Sequence, residues 1–256
     1  MKNFSADMPR FFVSKDSVAG GEAIVTGPDA RHIARSLRMA VGEKITVCDG
    51  SGREFVCRLE SIRDDLVTAA ILSSSPCGSE PPYRATVYQA LVKGDRSDTV
   101  ITKSVEFGAS EIVFFESSRC IVRSRDESEN KSQRRSRLAS EAAMQCGRGR
   151  IPSVGGPLGF GEMLDCARSA DIALFCYENE KGTLLPAALP ASCPATVAIV
   201  IGPEGGFSAE EAEQAAERGL IPVGLGERIL RTESAAPFVL AVLSGRYELA
   251  AGGRAD

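Results

Sequence analysis

Two stretches of the sequence combine glycine with charge in a way that can hold a small molecule against reacting groups. The first is the apolar run Val197–Ile201, which ends in Gly202-Pro203-Glu204-Gly205-Gly206-Phe207-Ser208. Glycines there let backbone N–H groups come close to a ligand. A loop at the carboxyl end of a buried strand is also where open α/β sheets bind ligands. A tight strand-to-helix turn would use the same glycines. No Gly-Lys-Ser/Thr follows, so this is not a nucleotide phosphate loop. Ser208 and Glu211 have the spacing of a capping box, which predicts a helix after the loop. The second stretch is Gly224-Leu225-Gly226-Glu227-Arg228-Ile229-Leu230-Arg231-Thr232-Glu233-Ser234. Ile229 stands where a dinucleotide fingerprint needs its third glycine. Arg231 and Glu233 precede a helix that Ser234 can cap, and they suit either a helix dipole or a reacting group.

A third signal is basic. Between Arg119 and Arg150 nine basic residues face four acidic ones, a local net charge of +5 in a chain whose formal charge is −4. Arg31, Arg35 and Arg38 fall at i, i+4 and i+7 of an expected helix, with His32 beside them. Each stripe alone is what a solvated helix face looks like. Two of them in an acidic protein point to a polyanion such as RNA.

The elements that must carry these residues divide into two styles. Residues 1–75 read as β-rich, with strands at Ile45–Cys48, Phe55–Leu59 and Leu66–Leu72 and one helix from about Asp29 to Met39. Residues 76–82 close a Ser-, Pro- and Gly-rich stretch that begins at Ser73 and reads as a linker. Residues 83–256 alternate strands (Ala85–Leu91, Glu111–Phe115, Ile172–Cys176, Val197–Ile201) with helices, one capped by Asp95 and ending at Gly108, another over Lys131–Gln145. Uninterrupted apolar runs suit a parallel sheet covered on both faces, so the second part is expected to be an α/β domain. A last helix, Ala235–Leu249, is apolar around much of its circumference, which suggests burial on more than one side.

Composition excludes several classes. Hydrophobic residues make up 43% and charged residues 25%, enough for packed cores. No apolar run approaches a membrane span, and the N-terminal stretch lacks an apolar core followed by a small-residue cleavage site. The eight cysteines are scattered without a CxxC pair, and His32 is the sole histidine. They read as reduced cytosolic thiols rather than zinc ligands, and no metal is expected.

Taken together, these residues resemble the RsmE family of ribosomal RNA uridine N3-methyltransferases, in the SPOUT (trefoil-knot) superfamily. The likeness runs along nearly the whole chain. It includes Pro9-Arg10-Phe11-Phe12, His32 through Arg38 with Gly42, Lys93-Gly94-Asp95-Arg96 with Lys103, Glu106 and Gly108, and Glu141-Ala142 with Gln145, Arg148 and Pro152. Its most specific parts are Ile201–Ser208 and Leu225–Ala235. The chain departs from the family pattern at Lys131–Leu138, which lacks an aromatic residue, and at Ser234, where Thr is usual.

The resemblance implies an N-terminal PUA-like β-barrel that binds RNA and a C-terminal knotted α/β domain. It also implies a cytoplasmic homodimer acting on 16S ribosomal RNA or the small ribosomal subunit, with S-adenosylmethionine as cofactor. The expected cofactor pocket comprises Glu178, Ile201, Gly202, Glu204, Gly205, Gly206, Leu225, Gly226, Ile229 and Leu230. Arg231 is expected to stabilise charge on the uracil oxygens, and Glu233, or else water or hydroxide, to accept the N3 proton. Arg31, His32, Arg35, Arg38, Arg119, Gln145 and Arg148 are the expected RNA contacts. The competing expectations are a SPOUT ribose 2′-O-methyltransferase and a non-catalytic RNA-binding adaptor, which S-adenosylmethionine binding would separate.

Overall fold

The computed structural model describes residues 8–126 and 128–250. The start of the N-terminal stretch and the extreme ends of both expected domains lie outside them. The chain forms two compact units, one running up to Glu80 and taking in Ala143–Ile151, the other comprising Pro81–Ala142 and the chain from Pro152.

The first unit is built on a six-stranded sheet of β1 (Arg10–Phe12), β2 (Val18–Ala19), β3 (Glu22–Thr26), β4 (Lys44–Cys48), β5 (Arg53–Ile62) and β6 (Leu66–Pro76), ordered β1-β4-β5-β6-β3-β2. β1 runs parallel to β4 and the other pairs are antiparallel. Alternate residues (Ala23 and Val25, Phe55, Cys57 and Leu59, Val67 and Ala69) form its core, the period-two burial of a sheet with one covered face. β6 continues past Leu72, because Ser73–Ser75 pair with Val56, Phe55 and Glu54 of the long β5. Part of the Ser-rich segment read as linker is therefore strand.

The expected Asp29–Met39 helix is shorter and shifted. A short helix α1 (Gly27–Arg31) widens into a π turn over His32–Ser36, and Arg38 then takes a left-handed φ of 51°. Arg38 thus leaves the helix, and the three-arginine stripe does not form on one helical face.

Glu80 is anchored, not loose. Its carboxylate accepts from Arg148 Nη2 at 2.8 Å and from the Gly149 and Arg150 backbone N–H groups at 2.9 and 3.0 Å. The Arg148 side chain is only 4% exposed.

The second unit holds a six-stranded, wholly parallel sheet of β7 (Arg84–Ala90), β8 (Glu111–Glu116), β9 (Ser153–Gly159), β10 (Ile172–Cys176), β11 (Thr196–Ile201) and β12 (Ile221–Val223). Its order is β12-β10-β11-β7-β8-β9. β10 and β11 are buried almost throughout, as their unbroken apolar runs predict. The edge strands β9 and β12 escape sequence reading: one is Gly-Gly-Pro-containing, the other three residues with a central Pro, a residue that edges tolerate.

The helices of this unit are α2 (Arg96–Glu106), α3 (Glu129–Gln145, whose last turn groups with the first unit), α4 (Phe160–Ala167), α5 (Leu185–Ala188), α6 (Ala209–Glu217) and α7 (Thr232–Ser244). Asp95 stands at the N-cap of α2, but its backbone carbonyl, not its side chain, receives the first N–H groups. α7 begins two residues before Ser234, with Arg231 at its N-cap, so Ser234 lies inside the helix and Glu233 in its first turn. After Ser244 it widens into a π turn, Gly245–Leu249.

All eight cysteines are free, and burial pushes the Cys48 and Cys57 thiols up to about 11. Among the described residues no helix is long and apolar enough to cross a membrane.

The Glu80 tie gives a stability prediction. Glu80→Ala removes the carboxylate that the buried Arg148 guanidinium faces and should cost about 3–5 kcal/mol in urea unfolding. Arg148→Ala should cost a similar amount, and the double variant clearly less than the sum of the two.

Candidate active site

The glycine-rich loop leaves β11 at Gly202 and is pinned at its far end by Phe207. That ring is 1% exposed and packs 4.1 Å from Phe175, with Phe115 and Phe160 both 6.3 Å away. Beyond it the capping box forms as predicted: Glu211 N–H donates to Ser208 Oγ at 3.1 Å, and Ser208 N–H to Glu211 Oε2 at 3.0 Å. Between these fixed points the chain turns, closed by Gly206 N–H to the Pro203 carbonyl at 3.0 Å.

Gly206 has φ +66°, and a Cβ there would collide with the Glu178 carboxylate. A Cβ on Gly202 would press on the Phe207 ring. These two glycines are required by close approach, whereas Gly205 has ordinary room beside Arg119.

The second motif is brought alongside by hydrogen bonds that sequence reading missed. Thr232 Oγ1 donates to the Gly202 carbonyl at 2.7 Å and accepts from Gln89 Nε2 at 2.8 Å. Gln89 is fully buried on β7. Strands β7 and β11 and the start of α7 are thereby stitched at one point.

The result is a cavity of about 590 Å³ at the carboxyl ends of β10, β11 and β12. All ten expected cofactor residues line it, together with Arg231 and Glu233. Arg96, Tyr177, Lys181, Arg228 and Thr232 also line it and were not expected to. Ile229 is 88% exposed although it faces this cavity, an aliphatic surface suited to cover by a ligand.

Glu204 is tethered inside the cavity. It accepts from Lys93 N–H at 3.1 Å and from Arg96 Nη1 at 2.6 Å. Burial would raise its carboxyl, but the Lys93 N–H and the Arg96 guanidinium outweigh burial and hold it below the ordinary carboxylate range.

The donor set fits S-adenosylmethionine. Glycine backbone and the apolar Ile201, Leu225, Ile229 and Leu230 can face an adenosine. The carboxylates of Glu178 and Glu204 can face the positive sulfonium and amino groups.

The expected RNA residues are scattered. Arg31, His32, Arg35 and Arg38 are exposed on the first unit, Arg35 already paired with Asp64. Gln145 is exposed at the end of α3. Arg148 is corrected: it is buried against Glu80 and is not presented to a phosphate. Arg119 Nη1 donates to the Gly205 and Phe207 carbonyls at 3.2 and 3.1 Å, which makes it a brace of the glycine loop.

Most of the second basic stripe is likewise engaged within the protein. Arg123 pairs with Glu116, Arg134 with Asp98 and Arg137 with Glu141, while Arg135 lies over the Phe114 ring.

The loop geometry predicts that Gly206→Ala, which displaces Glu178 and strains the backbone, weakens S-adenosylmethionine binding by about tenfold or more, ~1.4 kcal/mol. Calorimetric titration reads the affinity, with far-UV circular dichroism unchanged.

Comparison with known proteins agrees with this architecture. A family model described as the RNA methyltransferase domain matches residues 79–244, and one described as the RNA methyltransferase PUA domain matches residues 25–72. The ribosomal RNA small subunit methyltransferase E of Bacillus subtilis is 32% identical over 96% of this chain and 99% of its own length. That of Mycobacterium bovis is 31% identical over 94% of each chain. Among solved structures, the Neisseria gonorrhoeae ribosomal RNA small subunit methyltransferase E bound to S-adenosylmethionine superposes with a TM-score of 0.81 at 33% identity, covering 93% of this chain and 97% of that one. A Legionella pneumophila methyltransferase in complex with the same cofactor also gives 0.81, at 30% identity over 93% and 97% of the two chains. Domain matches and full-length relatives converge, and the chain belongs to the ribosomal RNA small subunit methyltransferase E family.

Proposed function

We propose that this protein transfers the methyl group of S-adenosylmethionine to N3 of a uridine in 16S ribosomal RNA of the small ribosomal subunit. The observation that carries the reading is one cavity lined by all ten expected cofactor residues together with Arg231 and Glu233. When bound, the cofactor supplies an electrophilic methyl on a sulfonium.

The protein's own groups have the remaining work. The backbone of Gly202, Gly205 and Gly206, with Leu225, Gly226, Ile229 and Leu230, holds the cofactor, and Glu178 and Glu204 face its cationic parts. Uridine N3–H is a weak acid, so the site must take its proton and favour the imide anion. Glu233 is the proton acceptor and Arg231 a cation for the developing charge. Arg31, His32, Arg35, Arg38 and Gln145 grip the RNA.

Two further features belong to this reading. α7 leaves Phe238 and Val242 only half-buried, an apolar strip suited to a second copy of the chain in a homodimer. A ribosomal substrate makes the cytoplasm the place of action, and the superfamily resemblance carries a trefoil knot in the second domain.

The deciding experiment incubates the protein and labelled S-adenosylmethionine with free 16S rRNA, small subunits and tRNA, and maps the methylated nucleoside. N3-methyluridine in 16S rRNA is expected; label on a ribose 2′-oxygen, or in tRNA alone, rejects the reading. For the RNA grip, Arg35→Ala with Arg38→Ala should weaken RNA binding and flatten the slope of log affinity against log salt by roughly 0.7–0.9 per lost phosphate contact. Cofactor affinity should not change in that variant. Sedimentation equilibrium at micromolar concentration should give a dimer.

A further inference from the structure

We propose that a second cavity, beside the cofactor cavity, receives the acceptor uracil, and that Arg96 and Glu233 are the pair that acts on it. The inference rests on the methyltransferase reading above. This cavity, of about 440 Å³, is more open and is lined by Lys93, Asp95, Arg96, Thr99 and Glu233. Two of these, Arg96 and Glu233, also line the cofactor cavity. A methyl group passes directly from donor to acceptor, so side chains common to both cavities stand where the two molecules meet. Arg231 and Glu178 line the cofactor cavity alone.

The shared pair suits the chemistry of a uracil edge. Arg96 Nη1 is committed to Glu204, but its Nε stands 3.9 Å from Glu233 Oε2, too far for a direct hydrogen bond. A donor and an acceptor set side by side in this way, without a hydrogen bond to each other, can meet one edge of a ligand together. The guanidinium only donates and the carboxylate accepts. Uracil offers the complement, an N3–H donor next to an O4 acceptor. Cytosine has a lone pair at N3, which a carboxylate repels.

In the step itself the N3 proton passes to the Glu233 carboxylate. The charge left on the imide spreads to both carbonyl oxygens, with O4 facing Arg96 and Arg231 a second cation from the cofactor side. The N3 lone pair bonds to the methyl carbon as the carbon–sulfur bond breaks, both its electrons staying on sulfur, so the imide and sulfonium charges cancel. Glu204, fixed by Lys93 N–H, is a positioning residue that aims the Arg96 guanidinium.

The test uses Thr99→Trp, which places an indole at an exposed position of the second cavity that does not line the first. Arg96→Ala and Arg96→Lys accompany it. Three readouts are taken: S-adenosylmethionine affinity by calorimetry, single-turnover methylation of 16S rRNA, and photocrosslinking of an RNA carrying 4-thiouridine at the mapped target. Thr99→Trp should keep cofactor affinity, lose the crosslink to the Lys93–Thr99 segment and slow methylation by about 100-fold or more. Arg96→Ala should slow methylation similarly and recover part of the rate on adding guanidinium ion, with Arg96→Lys in between.

A wild-type rate in Thr99→Trp, or a crosslink that maps elsewhere, overturns the base site. A wild-type rate in Arg96→Ala overturns the pair. Wild-type protein in the same assays separates the two levels: an inactive wild type rejects the methyltransferase reading itself, whereas an active one beside an unimpaired Thr99→Trp rejects the base site alone.

Discussion

The bond from the Thr232 hydroxyl to the Gly202 carbonyl joins the two motifs that line the candidate active site. Alone, such a bond contributes only about 1 kcal/mol net. Its importance is geometric, because the same hydroxyl accepts from Gln89 on the central strand β7. One buried point thereby sets the end of β11, the first turn of α7 and the middle of the sheet. Leaving such a group unmade in the interior costs roughly 1–3 kcal/mol, so the arrangement resists small rearrangements. The glycine loop hangs between this point and the Phe207 anchor, so both of its ends are fixed by the packing of the sheet.

Charge in this protein is mostly spent on itself. Most arginines of the Arg119–Arg150 region brace a loop, lie on an aromatic ring or close ion pairs, and Arg148 does so almost wholly buried. Exposed pairs such as Arg137–Glu141 contribute little to stability. The tether of Glu204 by Lys93 and Arg96 is different, because it fixes the position of a guanidinium at the junction of two cavities. The same residue type therefore does three kinds of work here, and sequence composition alone does not distinguish them.

That difference explains which parts of the molecule could be read beforehand. Strands β10 and β11 were plain because two-sided burial demands unbroken apolar runs. The capping box at Ser208 and Glu211 was plain because its chemistry is local. The two loops that line the larger cavity could be picked out because each carries its own glycines. Thr232 was not, since a threonine beside Arg231 gives no sign that its partner is the carbonyl of Gly202, thirty residues away. Arg96 was visible only as part of the Lys93–Arg96 motif; its pairing with Glu204 spans 108 residues and is a product of the fold. The Arg31–Arg38 stripe failed for a backbone reason, the π turn and the left-handed Arg38.

The grouping of Ala143–Ile151 with the N-terminal unit makes that unit discontinuous in the chain. A ribosome synthesising the protein releases β1 to β6 well before the arginine that neutralises Glu80. Until then the nascent unit carries a carboxylate destined for burial with nothing to pair it. Vectorial folding must therefore hold this unit incomplete while the first part of the other, Pro81–Ala142, is made. Any attempt to excise it as a contiguous fragment ending near Glu80 will isolate an unfinished body.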